Sequence, residues 1–284
     1  MKGARTLAVG ALMLAAACGD RPTLTMRYTP ATGSSFHYNL EQEVAMRMDG
    51  DSFPGRAQQT LTIIVAFTQT VKGPAEGGTE VRLRVDSVGL SSPELPPQAM
   101  ASAGAVLQGL ETAIVFNERM QSVRSEVTDA GGAPPQLAAQ ISSSLRGASF
   151  PLPEGPIRVG QSWTVDVPAP TGQVPGLTQP LMLSMRQRLE SFRVAGTDTI
   201  VTIAIATSFP KEPIRITLDS TEATLQLSGT LSGDQDYSLA RHALLRSNVG
   251  GTVRTTTKGP ALGENVVVID QRMTLTLVGD SLTP

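Results

Sequence analysis

Apolar and polar residues alternate along most of this chain. Between Arg27 and Met48, the residues Phe36, Tyr38, Leu40, Val44, Met46 and Met48 share one parity; His37, Asn39, Glu41, Glu43 and Arg47 share the other. A period of two gives a strand one buried face and one wet face. Thr60–Val71 repeats the pattern with Leu61, Ile63, Val65, Phe67 and Val71, and Val81–Val85 repeats it with Arg82 and Arg84 on the wet side. Asp49-Gly50-Asp51 and the Gly/Pro stretch Lys72–Gly78 read as turns between these runs. The three runs therefore predict an antiparallel meander in which Leu61, Ile63, Val65 and Phe67 face inward together.

The period then changes. In Pro97–Glu111, Met100, Ala103, Leu107 and Leu110 recur at helical spacing, and Pro97 suits a helix start. Thr112–Asn117 and Gln121–Val127 read as a hairpin. In Pro134–Arg146, Leu137, Ile141 and Leu145 are spaced by four, with Gly147 as a stop. Ser149–Pro156 is proline-rich and divides the chain near its middle. A second β series follows: Val159–Val167, Leu181–Val194, Thr199–Ser208, Ile214–Leu218, Ala223–Leu231, Tyr237–Asn248, Gly251–Lys258 and Asn265–Val278. Ser232–Asp236 and Asn248–Gly251 read as turns, and Gly279–Pro284 as a frayed end.

An antiparallel sheet with one apolar face must cover that face. Two helices of this length cover only part of a large sheet, because a helix rises about 1.5 Å per residue. The expectation is a mainly β protein: a large, curved antiparallel sheet, or half-open barrel, with two short amphipathic helices as a lid over an apolar cavity. The alternative is a two-part β-sandwich. The candidate cavity lining is Met46, Ile63, Val65, Phe67, Met100, Leu107, Leu110, Leu137, Ile141 and Leu145. Residues 27–284 are read as a single β-rich domain whose halves meet near 149–156.

The N-terminal segment changes the picture of where this domain works. Lys2 and Arg5 precede the uncharged run Leu7–Ala17, and small residues close it. This is the pattern of a signal peptide over residues 1–17. The run is too short for a membrane span, which needs about 20 apolar residues. Ala15-Ala16-Ala17 fits an ordinary cleavage site, which would leave a secreted or periplasmic soluble protein. Ala16-Ala17-Cys18-Gly19 resembles a bacterial lipobox. The chain has one cysteine, and an unpaired cysteine in an exported protein asks for a reason. Lipidation of Cys18 supplies one, with residues 18–26 as a polar tether. Gly19 resembles the second residue of lipoproteins sorted to an outer membrane, so the periplasmic leaflet of the outer membrane is the expected location.

Composition removes several alternatives. The formal net charge of −2 offers no bulk attraction to nucleic acid. Aromatic residues are scarce, while ten methionines supply flexible apolar surface. Candidate chemistry is thin. Gly279-Asp280-Ser281-Leu282 spells the nucleophile block of a lipase and esterase family, but at the wrong end of the chain, with no histidine after it. His37 lies on the wet parity of the first strand, and His242 is read within a strand. Asp234-Gln235-Asp236 could touch calcium, but a hairpin turn accounts for it. No catalytic residue, metal site or cofactor is expected.

Three short motifs carry a family resemblance. They are Arg27-Tyr28-Thr29-Pro30 with Gly33 and Phe36-His37-Tyr38; Pro156 with Gly160-Gln161-Ser162-Trp163; and Gly229 with Gly233-Asp234-Gln235-Asp236-Tyr237. They resemble an uncharacterised family of bacterial lipoproteins. The acylated cysteine, an antiparallel body of about eleven strands and the mid-chain helices resemble the LolA/LolB/LppX superfamily of envelope proteins. That resemblance implies a lipid-anchored, non-enzymatic protein that binds a lipid or acyl chain on a concave apolar face. No individual ligand residue carries over from it. The competing expectation is a structural or assembly lipoprotein that docks a protein partner in the cell envelope.

Overall fold

The computed structural model describes residues 22–50, 53–134, 150–168, 182–218, 221–260 and 263–281. Twelve strands form one antiparallel sheet. They are β1 (Ser35–Gly50), β2 (Phe53–Ala75), β3 (Gly78–Ser91), β4 (Glu111–Phe116), β5 (Ser122–Asp129), β6 (Ser162–Pro168), β7 (Met182–Ala195), β8 (Asp198–Ser208), β9 (Ile214–Leu218), β10 (Thr221–Ser238), β11 (Ala243–Gly259) and β12 (Gly263–Ser281). One helix, α1 (Pro97–Leu107), lies between β3 and β4. The second expected helix, Pro134–Arg146, falls almost wholly outside the described residues.

The strand order is β5-β4-β3-β2-β1-β12-β11-β10-β8-β7-β6. β9 pairs with β10 beyond the end of β8, so β8 and β9 share one flank of that strand. The first and last strands pair from Ser35 opposite Ser281 to Gly50 opposite Asn265. The two halves of the sequence thus join in the middle of one sheet. Gly279, Asp280 and Ser281 lie in that ladder and not in a frayed end, and residues 282–284 lie outside the described residues.

The sheet is curved, and its concave face is set by the alternation. Leu61, Ile63, Val65 and Phe67 stand opposite Val44, Gln42, Leu40 and Tyr38, so all four share the inward face as their parity predicts. The opposite parity carries the charge: Arg47 pairs with Asp270 at 3.0 Å and Arg246 with Asp234 at 2.6 Å.

Two expected turns are absent. β10 runs unbroken through Ser232–Asp236, and β11 through Asn248–Gly251. Gly233, Asp234, Gln235 and Asp236 favour turns locally, but each has a ladder partner on β11 and on β8. Pairing on both sides overrides the local preference. Gly251 has φ of +149°, and a Cβ there would overlap the carbonyl of Thr230. It is a bend inside a strand rather than a break between two. Asp234 and Asp236 face Arg246 and, for Asp236, the Thr202 hydroxyl at 2.7 Å.

One end of the concave face is filled. Phe36, Tyr38, Val71, Ile114, Leu189, Val201, Ile203 and Tyr237 form a buried cluster with Met26, Tyr28, Leu152 and Ile157. Residues 22–26 are therefore not simply a polar tether: Leu24 makes a two-bond bridge to Ile157 at 2.8 Å each way, and Met26 is fully buried. The segment 151–161 straps the base across the two halves. Leu152 N–H donates to the Arg119 carbonyl, Arg119 reaches Glu154 at 2.7 Å, and Gly160 N–H donates to the Leu189 carbonyl. Trp163 Nε1 donates to the Pro151 carbonyl at 2.9 Å.

All three tyrosines are buried at this base with their hydroxyls paired. Tyr38 donates to the Leu244 carbonyl and Tyr237 to the Arg27 carbonyl, while Tyr28 accepts from Gln69 Nε2. Burial pushes all three phenols well above their ordinary range. Asp198 anchors the turn after β10. It accepts from Ser238 Oγ at 2.6 Å, from the Ala240 N–H and from Arg241 at 2.8 Å. Desolvation pushes this carboxyl up, but those hydrogen bonds and the Arg241 charge outweigh it and hold it below the usual range. His242 lies in that turn with φ of +52°, not in a strand, and donates from Nδ1 to the Arg27 carbonyl at 2.7 Å.

Candidate functional site

Above the filled base, the same strands continue with the same parity but without full cover. Leu40, Val44, Met46 and Met48 on β1 are half-buried. So are Leu61, Ile63 and Val65 on β2 and Val267, Ile269 and Met273 on β12. Their registers place them together on the concave face: Met46 opposite Ile269, Met48 opposite Val267, and Val44 opposite Leu61. Buried apolar area is worth roughly 25 cal/mol per Å², so this zone realises only part of the stabilisation that its side chains could supply.

α1 covers one flank of the concavity. Gly104 is the buried residue of the helix, and a Cβ there would crowd the Val88 carbonyl. Glycine is what lets α1 approach β3 this closely. Beyond it, Val85 N–H donates to the Leu110 carbonyl and Gly109 N–H to the Val85 carbonyl, both at 2.9 Å. The expected helical stripe is partly displaced: Ala103 is exposed, and Gly104 takes its place against the sheet. Between α1 and β3 lies a groove of about 410 Å³, lined by residues including Val88, Leu90, Pro97, Met100, Ala101 and Gln108.

The expected lining residues divide accordingly. Val65, Leu107 and Leu110 come together under α1 with Val85, Val88 and Val106. Met46 and Ile63 lie on the half-covered face, and Met100 lines the groove beside α1. Phe67 belongs to the base instead, stacked on Tyr38 with ring centroids 5.2 Å apart. Leu137, Ile141, Leu145 and Cys18 lie outside the described residues. Residues outside the expected lining also lie on the inward parity of the sheet. Leu225, Leu227, Ile216 and Ala223 form one buried cluster at the β9–β10 flank, and Val165, Val167 and Leu183 form another at the β6–β7 edge.

The electrostatics of the concave face are distinctive. One register row runs from β6 to β3: Trp163, Gln187, Ile205, Gly233, Val249, Met273, Gln42, Ile63 and Leu90. The row nearer the base holds Leu189, Ile203, Gln235, Ser247, Leu275, Leu40, Val65 and Val88. Two rows further out lie Val44, Gln271 and Leu61, then Met46, Ile269 and Val253. These rows contain no Asp, Glu, Lys or Arg. Their polar side-chain groups are amides, one hydroxyl and the Trp163 indole N–H, all uncharged.

The two histidines are far from this face. His37 Nδ1 meets Thr68 Oγ1 at 2.9 Å on the convex side, and Thr68 donates to Asp86 at 2.6 Å. Among the described residues, no group of three or more His, Cys, Asp or Glu side chains is placed to hold a metal ion. None of their helices is long and apolar enough to cross a membrane.

No family model matches this chain, and no curated protein matches it. Among solved structures, it is similar to one described by the words "lipid-protein interactions in lipovitellin". That similarity has a TM-score of 0.51 at 12% identity and covers 90% of this chain. The matched region is 26% of the other chain, so this protein spans about a quarter of lipovitellin's length. The likeness is one of fold: a large, curved antiparallel sheet.

Proposed function

We propose that this protein is a lipid-anchored, non-enzymatic binder of an apolar ligand, a lipid or acyl chain, held on the concave face between α1 and the open end of the sheet. The observation that carries the proposal is the contrast within single strands. Phe36 and Tyr38 are fully enclosed, while Met46 and Met48, on the same face of the same strand, stay half-covered. A concave, mostly apolar, uncharged surface is the usual form of a small-molecule site. The shared fold with lipovitellin, a protein described by its lipid interactions, supports the same reading.

Cys18 is the proposed anchor, and the cell envelope of a bacterium the proposed location, on the lipobox-like Ala16-Ala17-Cys18-Gly19 and the resemblance to LolA-like envelope proteins. Each buried methylene of an acyl chain adds about 0.8 kcal/mol of membrane affinity.

The test is native mass spectrometry, with lipid extraction, on mature protein purified from its own envelope. A lipid or hydrophobic metabolite co-purifies near one to one, and Ile63→Glu loses it while keeping the fold. A protein that is empty in its native envelope, with every extracted lipid also present in the Ile63→Glu sample, overturns the proposal. The same spectra report Cys18: the mature N-terminus carries the mass of acyl chains.

A further inference from the structure

The chain joins the fold at the closed base, and the junction is fixed. Leu24 and Ile157 exchange two backbone hydrogen bonds at 2.8 Å each, and the Tyr28 N–H donates to the Glu118 carbonyl at 2.8 Å. Met26, between them, is fully buried. The Arg27 guanidinium donates to the Glu154 carbonyl at 2.9 Å and lies 3.6 Å from the Glu118 carboxylate. These partners belong to the β4–β5 turn and the strap 151–161, both at the base. β1 starts at this end with Ser35 and reaches the open end, the mouth, at Gly50.

Length then limits where an anchor at Cys18 can hold the sheet. Leu24 follows Cys18 by six positions, which span about 20 Å when fully extended. β1 has 16 residues, about 50 Å along the strand. Even tilted by about 40°, as in a barrel, a strand of this length holds base and mouth about 40 Å apart. An acylated Cys18 can keep the base at the bilayer surface. It cannot reach the bilayer if the mouth sits there and the base stands above it.

The surface of the base suits that contact. Exposed Val123 lies beside Gly77 in the β2–β3 turn, exposed Val194 beside the β7–β8 turn, and exposed Val159 on the strap. Each gains on leaving water for the interfacial region of a bilayer. At the mouth, Leu95 and Met182 are the exposed large apolar side chains among the described residues.

We propose that the base is the surface turned to the bilayer that holds the anchor, and that the mouth opens away from it, so that ligand is exchanged on the aqueous side and not drawn directly from the protein's own leaflet. This rests on the acyl anchor and the concave binding face proposed above and adds how they are arranged.

The experiment places the acylated mature protein, purified from its own envelope, on vesicles of phosphatidylethanolamine and phosphatidylglycerol that carry an acceptor-labelled lipid. The acylated Cys18 thiol is blocked, so a donor dye reacts with one added cysteine. Four exposed positions take it: Val194→Cys at the base and Met182→Cys at the mouth on β7, and Val123→Cys at the base and Leu95→Cys at the mouth in the other half of the sheet. Energy transfer to the bilayer is at least about twofold higher from Val194→Cys than from Met182→Cys, which lies about 30 Å farther out. It is likewise higher from Val123→Cys than from Leu95→Cys. Equal transfer within either pair overturns the orientation, and so does stronger transfer from the mouth; in those cases the acyl anchor and the concave site still stand. A mature protein that carries no acyl chain and stays off the vesicles overturns the anchor and the orientation together.

Discussion

The base and the mouth of this sheet are built from the same strands, yet they do opposite things with the same alternation. At the base, the inward residues of β1, β7, β8 and β10 meet Met26, Tyr28 and Leu152 from outside the sheet, and the cluster closes. Toward the mouth, the inward residues of β1, β2 and β12 are as apolar, but they are half-covered. What differs is not the strand pattern. It is whether a second layer from elsewhere in the chain lies across it. The base has the strap 151–161 and the N-terminal bridge; one flank of the mouth has α1. Stability is concentrated where the second layer is complete, and binding capacity is left where it is not.

The sharpest way to break this comparison is to truncate one residue at each end of the same face. Phe36→Ala is expected to lose about 3–5 kcal/mol of stability, as for a fully buried aromatic. Ile63→Ala is expected to lose about 1 kcal/mol, since its side chain is already partly in water. Urea unfolding of the two variants checks this, and equal losses would remove the distinction between base and mouth.

A smaller effect is expected at the bend. Gly251→Val forces a side chain into a left-handed backbone and against the Thr230 carbonyl, at about 1–3 kcal/mol. Lowered amide-exchange protection on β10 and β11, with the Tyr28 and Tyr38 environments unchanged, would place that strain in the wall and not in the base.

The smallest effect is a pH dependence confined to the base. The Asp198 carboxyl is held below its usual range, so its contribution is present above the unfolded value of about 3.9. It is lost as pH falls through the lower folded value. Asp198→Asn is expected to flatten that acid limb of the stability curve. Thermal melts of both proteins from neutral to acidic pH check it, and identical acid limbs would show that other carboxylates carry it.

Much of this protein is legible in its sequence because a period of two has only one structural reading at this length. The strands of the first half and the inward set Leu61, Ile63, Val65 and Phe67 follow from parity, and α1 follows from the change to helical spacing after Pro97. The absence of charge on the inward face of β1 follows from parity as well. The departures have a common cause. Ser232–Asp236 and Asn248–Gly251 carry turn residues, and local chemistry favours a break there. Neighbouring strands on both sides make ladder bonds worth more than the turn, and β10 and β11 run straight through. Met26 reads as the end of a polar tether because the alternation of Leu24, Met26 and Tyr28 with Thr25 and Arg27 is short and closed by prolines on both sides, so it does not announce the distant bridge to Ile157. Phe67 reads as cavity lining because parity reports which face a residue takes, not how far along the strand the core is filled.

The sequence by itself determined the sheet, its two faces and the neutrality of the inner one, since alternation and side-chain charge are local properties. Only the tertiary structure decided which stretch of that face is sealed and which is left half-covered. It also decided that Gln187, one polar residue among many by composition, ends buried. Those outcomes depend on where distant segments come to rest, and no local pattern encodes the distance between them.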